Sequence, residues 1–413
     1  MVKNAASCYN KTIMKENDEK NVDKEYKRHV RVWKFCQIIA PLLFKHRFRY
    51  EYEKVKNLEE PCLILPNHTC YLDPVLVGLS FPKNHMYFMA SEHIYRRGLA
   101  SKILYWTFCP IAKMKGSSDT LAVMKAIRAL RSGKNVCLFP EGNRTFNGDT
   151  VHISEAIGKL VKTTGANVLT YKISGGYFTN PRWGYGLRKG KMTGSVVAFY
   201  PKEKLKEMTP AEVTAIIRRD LKENAYERQR AEPVRYVAKN RAVGMECAVC
   251  VCPKCRSIGT IATKEDSVFC TKCGIKTVYD EYCFFTDDFV FKTVEEWDLW
   301  QDEFFKTYIN QKKDSTEPLF SDNEMACKIL TPDHVEKDLG VGELYQYIDR
   351  LEFKSPEGVK VIKISELPDI ALYEKDGLVF SDASGVHYEI KGKTLKNVRK
   401  YVHVCNFIRN NQM

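Results

Sequence analysis

"CLILPNHTCYLDPVLVGL", residues 62–79, contains an apolar run, a polar loop and a second apolar run in eighteen positions. Cys62–Leu65 reads as a short buried strand, and Pro74 opens "VLVGL" as a helix, proline being favoured at the first helical position. The stretch is therefore strand, loop, helix. His68 falls at the strand's carboxyl end, where open α/β sheets place their ligands. Asp73, five residues later, has two readings. It can fold back onto Nδ1 of His68, which leaves Nε2 to take a proton from a substrate hydroxyl, the base half of a triad whose nucleophile is the substrate. It can also be the helix N-cap, and one oxygen can cap while the other holds the histidine.

The same alternation continues outward. "MYFMA" (86–90), "NVCLF" (135–139), "NVLTYKI" (167–173) and "SVVAFY" (195–200) read as strands. "TLAVMKAIRALRSG" (120–133) predicts a helix with Leu121, Met124, Ile127 and Leu130 on its buried stripe and Gly133 at its C-terminus. Strands alternating with such helices predict an α/β fold. "TPAEVTAIIRRDLKENAYERQR" closes this region, with Thr209 and Glu212 as a capping box around Pro210 and Val213, Ile216, Ile217 and Leu221 facing the core.

A second loop follows the strand at 135–139: "FPEGNRT", residues 139–145. Arg144 offers a planar fork for phosphate, Glu141 can orient an acceptor hydroxyl or the arginine, and Gly142 lets the backbone approach a ligand. Read alone, this is a Pro-Glu-Gly turn with a surface ion pair. Paired with "NHTCYLD", in that order and 73 residues apart, it resembles the signatures of the glycerolipid (1-acylglycerol-3-phosphate) acyltransferase family over roughly residues 35–205. Asn143 and Thr145 stand where that family has Thr and Ser, and Thr170 where a later strand motif carries Pro. Its middle motif supplies a basic residue for the acceptor phosphate, and "PIAKMKG" offers Lys113 or Lys115 there.

The resemblance implies an α/β acyltransferase sheet flanked by helices. It further implies transfer of a fatty acyl group from acyl-CoA or acyl carrier protein to the free hydroxyl of 1-acylglycerol-3-phosphate, giving phosphatidic acid. His68 is then the base, Asp73 its orienting carboxylate, and Glu141, Gly142, Arg144 and Lys113 or Lys115 the phosphate site. No cofactor is needed for that chemistry. The alternatives are another lysophospholipid or glycerol-type acceptor, or a non-catalytic lipid-binding regulatory protein.

A formal net charge of +14 over 413 residues favours polyanionic partners, an anionic membrane surface or nucleic acid. Residues 1–30 are a charged leader without the apolar stretch of a signal peptide, so the fifteen cysteines read as reduced thiols or metal ligands. "VWKFCQIIAPLLF" (32–44) is interrupted by Lys34, Gln37 and Pro41 and followed by "KHRFRYEYEK". It is too broken to span a bilayer; it reads as a helix lying in a membrane interface or as a core helix. The expected location is peripheral or interfacial, on the cytoplasmic face of a membrane.

"CPKC" (252–255) and "CTKC" (270–273) have the spacing of two knuckles around one Zn(II), held by Cys252, Cys255, Cys270 and Cys273. Four thiolates leave no open coordination position, so the metal is structural. Cys247 and Cys250 are alternative ligands or small hydrophobes. The basic residues of this ribbon are not interleaved with a base-stacking motif, which argues against nucleic acid. "TVEEWDLWQDEFFKTYINQKK" follows as an aromatic helix, capped at Thr293 and Glu296. Strands such as "GVKVIKISEL" and "GVHYEIKG" come next, then a last helix in "TLKNVRKYVHVCNFIRN". The expected organisation is a leader (1–30), an acyltransferase domain with an N-terminal interfacial helix (31–235), a zinc ribbon (242–285) and an α+β C-terminal domain (286–413).

Overall fold

The computed structural model describes residues 19–91, 99–108, 110–113, 120–286, 288–331, 335–394 and 396–411. Helix α1 (Glu19–Phe48) leads into β1 (Glu51–Tyr52), β2 (Cys62–Pro66), α2 (Asp73–Ser80), β3 (Met86–Ser91), α3 (Leu99–Phe108), β4 (Ile111–Lys113), α4 (Thr120–Arg131) and β5 (Asn135–Cys137). Then come α5 (Ala156–Thr164), β6 (Asn167–Ser174), α6 (Gly176–Thr179), β7 (Thr193–Tyr200), α7 (Lys202–Glu207), α8 (Pro210–Leu221) and α9 (Ala225–Ala231). The seven strands form one sheet in the order β1-β7-β6-β2-β5-β3-β4. From β6 to β4 neighbouring strands are parallel, while β7 runs antiparallel to β6. All five residues of β2 are buried, as a central parallel strand covered on both faces requires.

Cys62 and Ile64 pack with Trp33, Phe44 and Phe48 of α1 and Leu76 and Val77 of α2 on one face. Leu63 and Leu65 pack with Ala122 and Ala126 of α4, Ile157 of α5 and Val213 and Ile217 of α8 on the other. The Thr209–Glu212 capping box forms in both directions. In α4 the expected stripe is corrected. Ala122, Ala126, Ile127 and Leu130 are buried, whereas Leu121 is 65% and Met124 42% exposed. The two alanines face the sheet, in the core with Leu63 and Leu65, and the larger Leu121 and Met124 turn outward.

Residues 19–30, expected in the leader, belong to α1. One side of that helix docks onto α2: Trp33 Nε1 donates to Phe81 O at 3.1 Å and Gln37 Nε2 to Gly78 O at 2.6 Å. The other side leaves Phe35, Ile38, Ile39, Leu42 and Leu43 exposed. Among the described residues no helix is long and apolar enough to cross a membrane.

Beyond α9, β8 (Ile261–Lys264), β9 (Ser267–Cys270) and β10 (Lys276–Val278) make a small antiparallel sheet. Helix α10 (Val294–Gln311) follows, then β11 (Phe320–Leu330), β12 (Glu336–Gln346), β13 (Arg350–Ser355), β14 (Gly358–Lys363), β15 (Ile370–Tyr373), β16 (Gly377–Ser381), β17 (His387–Gly392) and α11 (Arg399–Asn411). These strands form an antiparallel sheet in the order β14-β13-β12-β11-β17-β16-β15. One apolar core runs from Tyr177, Trp183 and Tyr226 through Cys247, Cys250 and Tyr279 to Trp297, Phe353, Phe380 and Tyr401. The cysteine-rich segment is thus wedged between the α/β unit and the C-terminal sheet. Cys247 and Cys250 are buried in that core, their thiols pointing to Lys396 O and Gln301 Oε1.

Candidate active site

Three adjacent parallel strands, β5, β2 and β6, deliver their carboxyl ends to one edge of the sheet. Pro66, which has no N–H, ends β2, and the side chain of Asn67 takes over the ladder. Its Oδ1 accepts from Ile173 N at 2.7 Å and its Nδ2 donates to Ile173 O at 2.9 Å. The main chain is thereby free to leave the sheet at His68.

His68 Nδ1 donates to Asp73 Oδ2 at 2.8 Å. Asp73 is fully buried, and the same oxygen accepts from Thr69 N at 2.5 Å and Cys70 N at 2.9 Å. Its Oδ1 accepts from the Thr69 hydroxyl and the Cys70 thiol, both at 3.0 Å. The carboxylate therefore faces backward into the 68–70 turn. Asp73 is itself the first residue of α2, whose N-cap, Leu72, makes no side-chain cap hydrogen bond, so the capping reading of Asp73 is corrected. Helix α6 closes over this turn, where a Cβ on Gly176 would lie 2.1 Å from Thr69 Oγ1.

The imidazole stacks on Phe139 with ring centroids 4.3 Å apart. Burial holds its pKa below the usual histidine value, and Arg144 and Arg182 push the same way, partly offset by the bond to Asp73. The ring is accordingly neutral near pH 7. With Nδ1–H committed to Asp73, the lone pair is on Nε2.

The loop after β5 is tied to this turn. Glu141 Oε1 accepts from His68 N at 2.6 Å and Oε2 from Val151 N at 2.7 Å, so both oxygens are held by main chain. Burial pushes the Glu141 carboxyl up to about 8 against the pull of those two N–H groups. Thr145 N donates to His68 O at 3.3 Å. Gly142 has φ +68, the left-handed region that glycine enters without strain, and this bend brings Arg144 round. Arg144 is half-buried and donates from Nη1 to Asn180 Oδ1 at 3.2 Å.

Lys113 ends β4, three strands from β2, roughly 14 Å away at about 4.8 Å per strand. Lys115 lies outside the described residues. Thr170, at the strand position noted above, is buried and donates to Asp220 Oδ2 at 2.9 Å. It lies at a register shift in the β6–β7 pairing.

Sequence reasoning missed the loop after β6, "YFTNPRWG", residues 177–184. It supplies Asn180, which holds Arg144, and Arg182, whose Nη1 donates to Arg144 O at 3.2 Å. The available signal was positional: this is the third adjacent strand end. Together the loops set a neutral, carboxylate-held imidazole beside a guanidinium, an arrangement suited to deprotonating an alcohol that carries an anion.

The sulfurs of Cys252, Cys255, Cys270 and Cys273 all lie within 4.8 Å of one another. Cys252 and Cys273 are 3.5 Å apart, and Cys255 and Cys270 3.7 Å. Thiolates at about 2.3 Å from a tetrahedral Zn(II) stand roughly 3.8 Å apart, so the cluster is compatible with that ion.

Residues 47–174 match the family model described as Acyltransferase. Among solved structures, the 1-acyl-sn-glycerophosphate (LPA) acyltransferase PlsC of Thermotoga maritima is similar over 50% of this chain and 83% of its own, at 18% identity and a TM-score of 0.40. Inner membrane complex sub-compartment protein 3 of Toxoplasma gondii is similar over 27% of this chain and 87% of its own, at 16% identity and a TM-score of 0.18.

Proposed function

We propose that this protein, whose residues 47–174 match the family model described as Acyltransferase, acylates the free hydroxyl of 1-acylglycerol-3-phosphate, using acyl-CoA or acyl carrier protein, to give phosphatidic acid. The observation that carries this reading is the His68–Asp73 pair with Arg144 on the neighbouring strand end. Nε2 of His68 takes the hydroxyl proton as the oxygen attacks the thioester carbonyl. The carbon–sulfur bond then breaks, and the imidazolium returns its proton to the leaving thiolate. Asp73 stabilises the imidazolium. General-base help of this kind contributes about 10²–10⁴-fold, so positioning of the acceptor by Arg144 supplies much of the rest.

Two accessory features belong to this reading. The exposed apolar stripe of α1 is a face for shallow insertion into an anionic membrane. The four clustered cysteines hold a structural Zn(II) that fixes the wedge between the α/β unit and the C-terminal sheet.

The test is acyl transfer by purified full-length chain from labelled acyl-CoA or acyl carrier protein to a panel of lysophospholipids and glycerol acceptors, with His68→Ala in parallel. Transfer to 1-acylglycerol-3-phosphate that His68→Ala abolishes is the expected result. No transfer to any acceptor, or full activity in the variant, overturns the reading.

A further inference from the structure

Arg182 is a buried guanidinium that, among the described residues, pairs with no carboxylate. Its three hydrogen bonds all go to main-chain carbonyls: Nη1 to Arg144 O at 3.2 Å, Nε to Glu374 O at 3.2 Å and Nη2 to Leu372 O at 3.3 Å. It also lies over the Phe146 ring, 4.5 Å from the centroid. The first bond holds the arm of the proposed phosphate site. The other two reach the β15–β16 hairpin of the C-terminal sheet, 190 residues further along the chain. Lys375 fastens the same hairpin a second time, donating Nζ to Gly184 O at 3.0 Å with its ammonium over the Tyr185 ring. The loop that grips the Arg144 side chain through Asn180 is thus itself pinned to the C-terminal unit.

Four cations meet here: Arg144, Arg182, Lys375 and Arg399, the last with its guanidinium over the same Phe146 ring at 5.0 Å. Burial disfavours the charged forms of both Arg182 and Lys375, and Arg144 adds to the effect on each. A rigid fork aimed at three carbonyls is an arrangement that lysine, a single point of donation, cannot reproduce.

We infer that the C-terminal antiparallel unit is part of the transfer site: through Arg182 it positions Arg144 to bind the phosphomonoester of the acceptor. The inference rests on the acyl-transfer reading and deepens it. Arg182 is a positioning residue, acting on the ligand through Arg144.

A double-mutant cycle on the full chain tests this with binding as its readout. The dissociation constant of glycerol 3-phosphate is measured for wild type, Arg182→Lys, Arg144→Ala and the double variant, with thermal unfolding as a control. Arg182→Lys is expected to weaken binding about tenfold, the loss of one well-placed charge-assisted contact. In the Arg144→Ala background the same change is expected to cost nothing further. Lys375→Ala, which loosens the second fastening without removing the first, should weaken binding by a smaller factor. Additive effects, an unchanged constant in Arg182→Lys, or absence of binding by wild type would each overturn the inference. In the acyl-transfer assay the matching signature is a raised KM for lysophosphatidate with little change in kcat. A wild-type chain that binds glycerol 3-phosphate yet transfers no acyl group would refute the enzymatic reading alone.

Discussion

Asp73→Asn separates the two jobs this carboxylate does. Oδ2 faces three N–H donors, His68 Nδ1, Thr69 N and Cys70 N, whereas Oδ1 faces only a hydroxyl and a thiol. An amide can therefore keep its oxygen at the crowded position and turn its NH2 toward two groups able to accept. The fold should survive, at a cost of about 1–2 kcal/mol. The charge does not survive. When His68 becomes imidazolium in the transition state, a carboxylate with its charge about 4 Å away contributes roughly 4 kcal/mol at an effective dielectric of about 20. A neutral amide recovers a minor part, leaving a loss of about 3 kcal/mol, or about 10²-fold in kcat at 1.36 kcal/mol per decade. The pH profile carries a sign as well. Burial and the two arginines lower the affinity of His68 for a proton, and Asp73 opposes them. Removing that opposition moves the acid limb of kcat/KM to lower pH, further below the usual histidine range. The assay is acyl transfer to lysophosphatidate from pH 5 to pH 9. A loss under about fivefold, or a limb that moves upward, would refute the assignment of Asp73 as the charge partner.

Gly176→Ala drives a methyl group into Thr69 Oγ1, 2.1 Å from the ideal Cβ, and should destabilise the protein by about 1–3 kcal/mol while lowering activity beyond the loss of folded material; denaturant unfolding and transfer rates on the same samples check it. Ile38→Glu with Leu42→Glu, at positions 71% and 74% exposed, should leave thermal unfolding unchanged yet weaken flotation with anionic liposomes by about 30–1,000-fold, two apolar side chains contributing roughly 1–2 kcal/mol each. Elemental analysis of the wild type should find one zinc per chain, and Cys255→Ser should remove it and lower the melting temperature; a metal-free wild type would refute the zinc assignment.

Much of the α/β unit was legible because its signals are local. Cys62–Leu65 is buried on both faces and reads as an unbroken apolar strand, Asn167–Ile173 is buried at all but Lys172, and the Thr209–Glu212 box is written within four residues. The face of α4 was not legible, since hydropathy favours Leu121 and Met124 while the buried side carries the smaller Ala122 and Ala126. Asp73 illustrates a second limit. An Asp-Pro pair before an apolar run has the local grammar of a cap, yet the N–H groups that reach its carboxylate precede it, because the turn 68–70 wraps backward around it.

The placement of Glu141 follows from the same geometry and alters what its motif means. The carboxylate holds His68 N and Val151 N, one from each side, and so fixes the separation between the base and the loop that carries Arg144. A shift of either loop would leave a buried N–H unpaired, at about 1–3 kcal/mol. Asn67 does the corresponding work toward β6 by completing its ladder at Ile173, and Arg182 does it between Arg144 and the C-terminal hairpin. In each case a polar side chain is anchored on main chain and helps to set a distance within the site. In the proposed reading the proton transfer falls to His68, with its charge partner Asp73, and the binding of the acceptor to Arg144. On that reading, three loops and a distant hairpin hold the base and the anion-binding arginine at one sheet edge.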